Sequence, residues 1–265
     1  AQEKAYAAEE MNHLLFSLLY SLDCYFMSHP LALRGASWKG EQLVRAARFG
    51  FSVPASLITD QPSEVRRLGR SAADGAVFKS MSMPNLAAHR VEAEDQVASG
   101  VPTTRVPHDD ENALAGVEEM PCFFQHYAPK AYELRVTVVG DEVFAVRINS
   151  QDDPRTAVDF RDYSVDIRYE AVRVPPDVER RCVGLIHSYG LQYGAIDLIV
   201  TPAGDYVFLE NNPVGQFLFV EQLAPELEIT KAVAERLAWG AGSDRGAGGA
   251  PVAAMAASLG LRHAG

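Results

Sequence analysis

Apolar positions along this chain recur at two periods, and the switches between them mark its elements. Residues 5–20 carry a helical stripe, and "CYFMSHP" (24–30) reads as a strand ended by Pro30. Leu43, Ala46, Ala47 and Phe49 give a second stripe, stopped at Gly50. A strand is predicted over 53–59, a helix over 62–70, and a short strand at "GAVFKS" (75–80) that carries Lys79. Residues 81–112 are polar and weakly periodic, which predicts a mobile loop around a short strand at "VPTTRV".

Strict alternation then takes over. "CFFQHYA", "YELRVTVV" and "EVFAVRINS" are three strand candidates, the last two joined by a Gly140-Asp141 hairpin turn. A loop over 151–170 leads into a helix over 174–189, opened by a Pro pair. Residues 193–217 read as two apolar strands joined by "TPAGD", followed by a helix near 226–239 and a Gly/Ala-rich tail from Gly240. Hairpin signals outnumber βαβ units, so the class is α/β (α+β) with mostly antiparallel sheets. No internal repeat, GxGxxG or GxxxxGK[ST] is present.

Composition narrows the partners. The 265 residues hold 24 basic and 35 acidic side chains, a net charge of −11, which argues against nucleic acid or an anionic membrane as the main partner. The longest apolar run, 14–27, is too short to cross a bilayer and carries Asp23. Cys24, Cys122 and Cys182 lack CxxC spacing and predict buried thiols in a reducing cytoplasm.

Polar residues break the apolar strands at telling places. Alternation sets Tyr206, Phe208, Glu210 and Asn212 on one face, and the turn brings Asp197 opposite or next to Glu210. A single acid at a strand end reads as protection of an edge. Three converging oxygen ligands suit a hard cation such as Mg²⁺, which shares phosphate oxygens. Glu133 and Arg135 share a face of their strand, and Arg147 is placed with them, all pointing away from the core. That is either a solvated sheet face or a set of arginines for phosphoryl transfer. Lys79, inside an apolar strand, needs an anionic partner such as a phosphate. For Lys39, at a helix start, a phosphate ligand and an ordinary solvated side chain are both open.

Taken in order from Ala36 to Trp239, these pieces resemble the ATP-grasp carboxylate–amine ligases. "GAIDLIV…YVFLENNP" is similar to that superfamily's metal hairpin, D…ExNP. "NPVGQ", "QHYAPKAYELRVTVVG" and "INSQ…DFR" resemble one branch, the microviridin-type (graspetide) macrocyclases that crosslink ribosomal peptides. The resemblance implies two lobes clasping ATP. It divides the chain into a reduced pre-grasp piece (1–35), a central lid (36–120), a C-terminal lobe with the metal site (121–239) and the tail (240–265).

It also implies roles. Lys39 and Lys79 would hold ATP phosphates, Gln125, His126 and Tyr127 would meet adenine mainly through backbone, and Glu133 would take the ribose. Arg135 would lie on the γ-phosphate with Arg147 as a further catalytic arginine. Asp197, Glu210 and Asn212 would bind two Mg²⁺. Arg161 would hold the substrate carboxylate, with Asp159 as base. His126 stands where the family usually has Glu, and Asn211 replaces an apolar residue, so its side chain needs a buried partner. The implied partner is a precursor peptide, leader and core, in the cytoplasm, with a homodimer as the expected assembly. An amino-acid ligase and a catalytically silent nucleotide- or leader-binding homologue are the alternatives. A gain of mass in the peptide would mark the first, and absence of ADP release the second.

Overall fold

The computed structural model describes residues 2–81, 101–110, 112–162 and 164–243. Of the loop expected over 81–112, residues 82–100 and 111 lie outside them, as does the expected tail from 244 onward. Helix α1 (Gln2–Ser21) is followed by a correction: 24–30 is no strand, and only Ser28 makes an isolated bridge, to Leu191. Pro30 opens α2 (Pro30–Gly35) instead, because a ring at the first helical position gives up an N–H that would be unbonded anyway. Then come α3 (Lys39–Arg48), β1 (Ser56–Thr59), α4 (Pro62–Arg70), β2 (Ala76–Lys79), β3 (Thr104–Arg105) and a 3₁₀ helix (Asn112–Glu119) absent from the sequence reading.

β4 (Cys122–His126), β5 (Tyr132–Val139), β6 (Glu142–Ile148), α5 (Pro176–Ser188), β8 (Tyr193–Val200), β9 (Tyr206–Asn212) and α7 (Ile229–Ser243) fall close to their predicted places. β7 (Tyr169–Val172) and α6 (Leu218–Leu223) were not predicted. Both are under seven residues and carry too few alternations to stand out.

Two antiparallel sheets result, ordered β1-β4-β2-β3 and β7-β6-β5-β8-β9. Gly140 takes φ +60°, as the two-residue β5–β6 turn requires. One face of the large sheet presents Leu134, Val136, Leu198 and Phe208 to Leu43 and Ala46 of α3 and to Cys182, Leu185 and Ile186 of α5. Residues 36–51 therefore pack on the large lobe's core, although the expected boundary placed them in the lid. The opposite face buries Val146 and Ile148 under α6 and α7. The small sheet covers one face with α4 and the 3₁₀ helix, through Val65, Leu114, Val117 and Phe124. Among the described residues, no helix is long and apolar enough to cross a membrane. The cysteines are free, but only Cys182 is buried; Cys122 is half-buried and Cys24 exposed, a correction to the buried-thiol expectation.

Candidate functional site: a charged cleft between two sheets

The uncovered face of the small sheet stands over the uncovered part of the large one and encloses a cleft of ≈ 920 Å³ counted to its open mouth. Register explains its floor. Arg135 pairs with Asp197, and Asp197 with Glu210, so these three charged side chains rise in a row across β5, β8 and β9. The ladder shifts between Asp197 and Leu198, leaving Leu209 as an extra residue on β9. This corrects the simple alternation: Phe208 pairs with Leu198 in the core, while Glu210 faces the cleft. Two strand residues four sequence positions from "TPAGD" cannot reveal a bulge.

Burial sets the electrostatics. Arg135 Nη1 lies 3.2 Å from Asp197 Oδ1. Burial pushes the Asp197 carboxyl up to about 7 against the pull of Arg135, and Glu210 adds to the rise. Burial also raises Glu210, but Lys39 and Lys79 outweigh it and hold that carboxyl below its usual value. Lys39 Nζ is 2.9 Å from Glu210 Oε2 and donates to Ser80 O. Burial lowers the Lys79 ammonium, opposed by Glu210. Lys39, on α3, thus contacts this carboxylate, and Lys79, on β2, acts on it through its charge.

At the other end of the cleft, Lys130 is buried and donates to Glu133 Oε1 at 2.8 Å and to Val158 O at 3.0 Å. Sequence reasoning passed over Lys130, although a lysine three residues before a buried glutamate was a usable signal. Asp159 and Arg161 form a bidentate pair at 2.8 and 2.6 Å. The second Asp159 oxygen also accepts the Thr103 N–H at 2.9 Å, joining the two lobes. Burial works to raise the Asp159 carboxyl, but Arg161 overcomes it and holds it at about 2. A carboxylate so engaged is a weak base.

Two further placements depart from expectation. Arg147 pairs with Leu134, on the opposite face from Arg135. Its guanidinium lies 4.1 Å from the Tyr132 ring centroid, and its Nε donates to Asn149 Oδ1 at 2.7 Å. It is outside the cleft. The error was one of register, because Gly140-Asp141 sets residues of odd number on β5 opposite residues of even number on β6. Gln125 and Tyr127 line the cleft, but the N–H groups of His126 and Tyr127 already donate to Ala55 O and Gly75 O. The His126 ring turns to Ser71 Oγ and Leu68 O. All three residues line the cleft, as do Val77, Ile199 and Leu209.

Neither a protein-family model nor a curated protein matches the chain. Solved structures do. The chain is 32% identical to a Chryseobacterium gregarium RiPP-associated ATP-grasp ligase in complex with ADP and a leader and core peptide, over 90% of this chain and 70% of that one, with TM-score 0.79. It is also 32% identical to macrocyclase MdnC from Microcystis aeruginosa MRC, bound with precursor peptide MdnA, over 90% and 72%, TM-score 0.78. Macrocyclase MdnB from the same organism is 25% identical over 90% and 71%, TM-score 0.70. The chain belongs to the RiPP-associated ATP-grasp ligases.

As an ATP-grasp ligase, the chain has a floor that fits a nucleotide phosphate held through Mg²⁺. Arg135 Nη1 is held by the Asp197 carboxylate, while the buried Arg135 Nε lacks a hydrogen-bond partner among the described residues, a donor suited to an incoming anion. Two adjoining half-buried carboxylates, with Asn212 lining the same cleft, suit a hard cation in addition to Arg135 and Lys39. The described residues contain no cluster of three His, Cys, Asp or Glu side chains. Mg²⁺ commonly takes further ligands from phosphate oxygens and waters. The ligase's "NPVGQ" turn also has a steric reason: a Cβ at Gly215 would come within 2.6 Å of Ala195 Cβ and 3.0 Å of Asn212 Cβ. Only glycine lets the chain fold back against the metal end of β9.

Proposed function

We propose that this ligase uses ATP to activate Asp or Glu side-chain carboxylates of a ribosomal precursor peptide and closes ester or amide crosslinks. The observation that carries the reading is the row Arg135–Asp197–Glu210 facing one cleft with Lys39 and Lys79, with the Arg135 Nε buried and without a hydrogen-bond partner among the described residues. The peptide carboxylate oxygen attacks the γ-phosphorus, the bond to ADP breaks, and an acyl phosphate forms. A Ser or Thr hydroxyl or a Lys amine then attacks the acyl carbon, its proton is lost, and inorganic phosphate leaves. Each crosslink removes one water from the peptide, carried away in the phosphate.

The residues divide this work. Val77, Ile199 and Leu209 sandwich the base at the edge formed by Gln125, His126 and Tyr127, and Glu133, oriented by Lys130, takes the ribose. Lys39 and Lys79 hold phosphates, and Arg135 neutralises charge spreading on the γ-phosphoryl oxygens. Asp197, Glu210 and Asn212 hold two Mg²⁺. When bound, Mg²⁺ would offset the negative charge of the phosphates. Arg161, fixed by Asp159, clamps the substrate carboxylate, and the bidentate pair gives that clamp a defined plane. We place the chain in the cytoplasm, in keeping with three free thiols.

The test is mass measurement after incubation with ATP and a cognate precursor peptide. The wild-type ligase yields peptide lighter by one water per crosslink, with one ADP formed each time. Asp197→Asn and Glu210→Gln abolish both. A variant that still dehydrates the peptide removes the metal assignment, and a peptide that gains mass instead identifies an amino-acid ligase.

A further inference from the structure

The outer edge of β9 lacks a neighbouring strand where it matters most. β9 ends its sheet, and Ser52 covers it only as far as Phe208, whose N–H donates to Ser52 O at 2.9 Å. Beyond the bulge lie Glu210, Asn211 and Asn212, the segment that supplies two of the three proposed metal ligands. The backbone of Asn211 faces this open edge. Gln42 of α3 fills it. Its Nε2 donates to Asn211 O at 2.8 Å, and its Oε1 accepts the Asn211 N–H at 2.9 Å. The remaining Nε2 hydrogen goes to Ala36 O at 2.7 Å.

Gln42 is 2% exposed, and every hydrogen-bonding direction of its amide but one lone pair is used. A primary amide that accepts from an N–H and donates to the same residue's C=O does what an adjacent strand would do. One turn earlier on α3, Lys39 reaches Glu210. The helix therefore fastens two successive residues of β9, one by side chain and one by backbone. The Asn211 side chain takes no part: neither its Nδ2 nor its Oδ1 has a partner among the described residues.

We propose that Gln42 is a positioning residue for the metal site: it stands in for a missing strand and fixes the backbone from which Glu210 and Asn212 project. Plain helix-to-sheet packing would be met by Leu or Met at this position, without desolvating an amide. A fixed peptide plane at Asn211 requires an amide of glutamine's length. This inference rests on the metal assignment made above, and its test separates the two.

The experiment follows Mn²⁺ binding by electron paramagnetic resonance, with and without ADP, alongside calorimetry of ADP binding in the absence of metal. In Gln42→Met, the Mn²⁺ dissociation constant with ADP present rises by about 10–100-fold, the usual loss when a residue orienting metal ligands is removed, while metal-free ADP binding stays within about twofold. Gln42→Asn keeps the amide but falls one methylene short. It shows a loss in the same direction and serves if the methionine variant does not fold. Asn211→Leu, which keeps the backbone and discards only the unused side chain, binds Mn²⁺ as the wild type does. Wild-type Mn²⁺ affinity in a folded Gln42 variant overturns the proposal. So does an equal loss of metal-free ADP binding, which would make Gln42 a general packing residue. If the wild-type protein itself takes up no Mn²⁺ with ADP, the metal assignment falls, and this inference with it.

Discussion

The two faces of the five-stranded sheet are made by the same alternation yet obey different rules. On the face toward α3 and α5, Leu134, Leu198 and Phe208 pair across β5, β8 and β9. On the other, one residue along β5 and β8 and two along the bulged β9, Glu133, Arg135, Asp197 and Glu210 occupy the same strands. The first face is stable without any ligand, since burial of apolar area needs no partner beyond the neighbouring side chains. The second is incomplete by itself: two half-buried carboxylates adjoin, and the buried Arg135 Nε has no hydrogen-bond partner among the described residues. A face that is left electrostatically unfinished is a face that binds something.

The comparison breaks most sharply at two arginines twelve residues apart in sequence. Arg135→Ala should lower the rate of ADP formation with peptide by roughly 10³-fold, the lower range for removing a guanidinium from a transferring phosphoryl group. Arg147→Ala, on the core side of the sheet and engaged with Tyr132 and Asn149, should leave that rate within about threefold, because surface-type polar contacts there touch no substrate. Steady-state kinetics on both variants checks the pair. Equal losses would erase the distinction between the faces.

The same two arginines show what the sequence could and could not convey. Period-2 patterning located β4, β5, β6, β8 and β9 and separated inward from outward residues within β5, β6 and β8, but not across the bulge of β9. It also drew attention to Asp197, Glu210 and Asn212, because charges inside apolar strands conflict with burial. Between strands, patterning fails. Nothing in "YELRVTVVGDEVFAVRINS" tells whether Arg135 and Arg147 share a face; the two-residue turn decides, and it puts them on opposite ones. Likewise the Leu209 bulge is invisible, since Leu is acceptable on either face. Gln42 gave no signal either. A glutamine on an amphipathic helix reads as solvated until the edge of a distant strand is known to lie against it.

On the core face the effect should fall on folding alone. Leu198 is fully buried among Leu134, Phe208 and the helices. Leu198→Ala should cost about 2–5 kcal/mol of stability from lost burial and the cavity left behind, read by chemical denaturation. Below the melting transition, kcat should change little, although Asp197 is the next residue. A large loss of kcat at full folding would show that the two faces are mechanically joined through β8.

The smallest expected effect lies where the core face has been given a polar residue. Asn211 is 3% exposed, with both amide atoms unpaired among the described residues, and its Oδ1 would lie 2.7 Å from a Cβ built on Gly194. An unsatisfied buried amide costs about 1–3 kcal/mol against an apolar group of like shape. Asn211→Leu should therefore stabilise the protein by an amount in that range, raising the melting temperature by roughly 2–4 °C per kcal/mol for a chain of this size. Crosslinking of peptide should persist, because the Gln42 clamp holds the backbone and not the side chain of residue 211. If Asn211→Leu instead destabilises the fold, the amide has a use on the core face, and the contrast between a finished face and an unfinished one no longer follows the strand pairing.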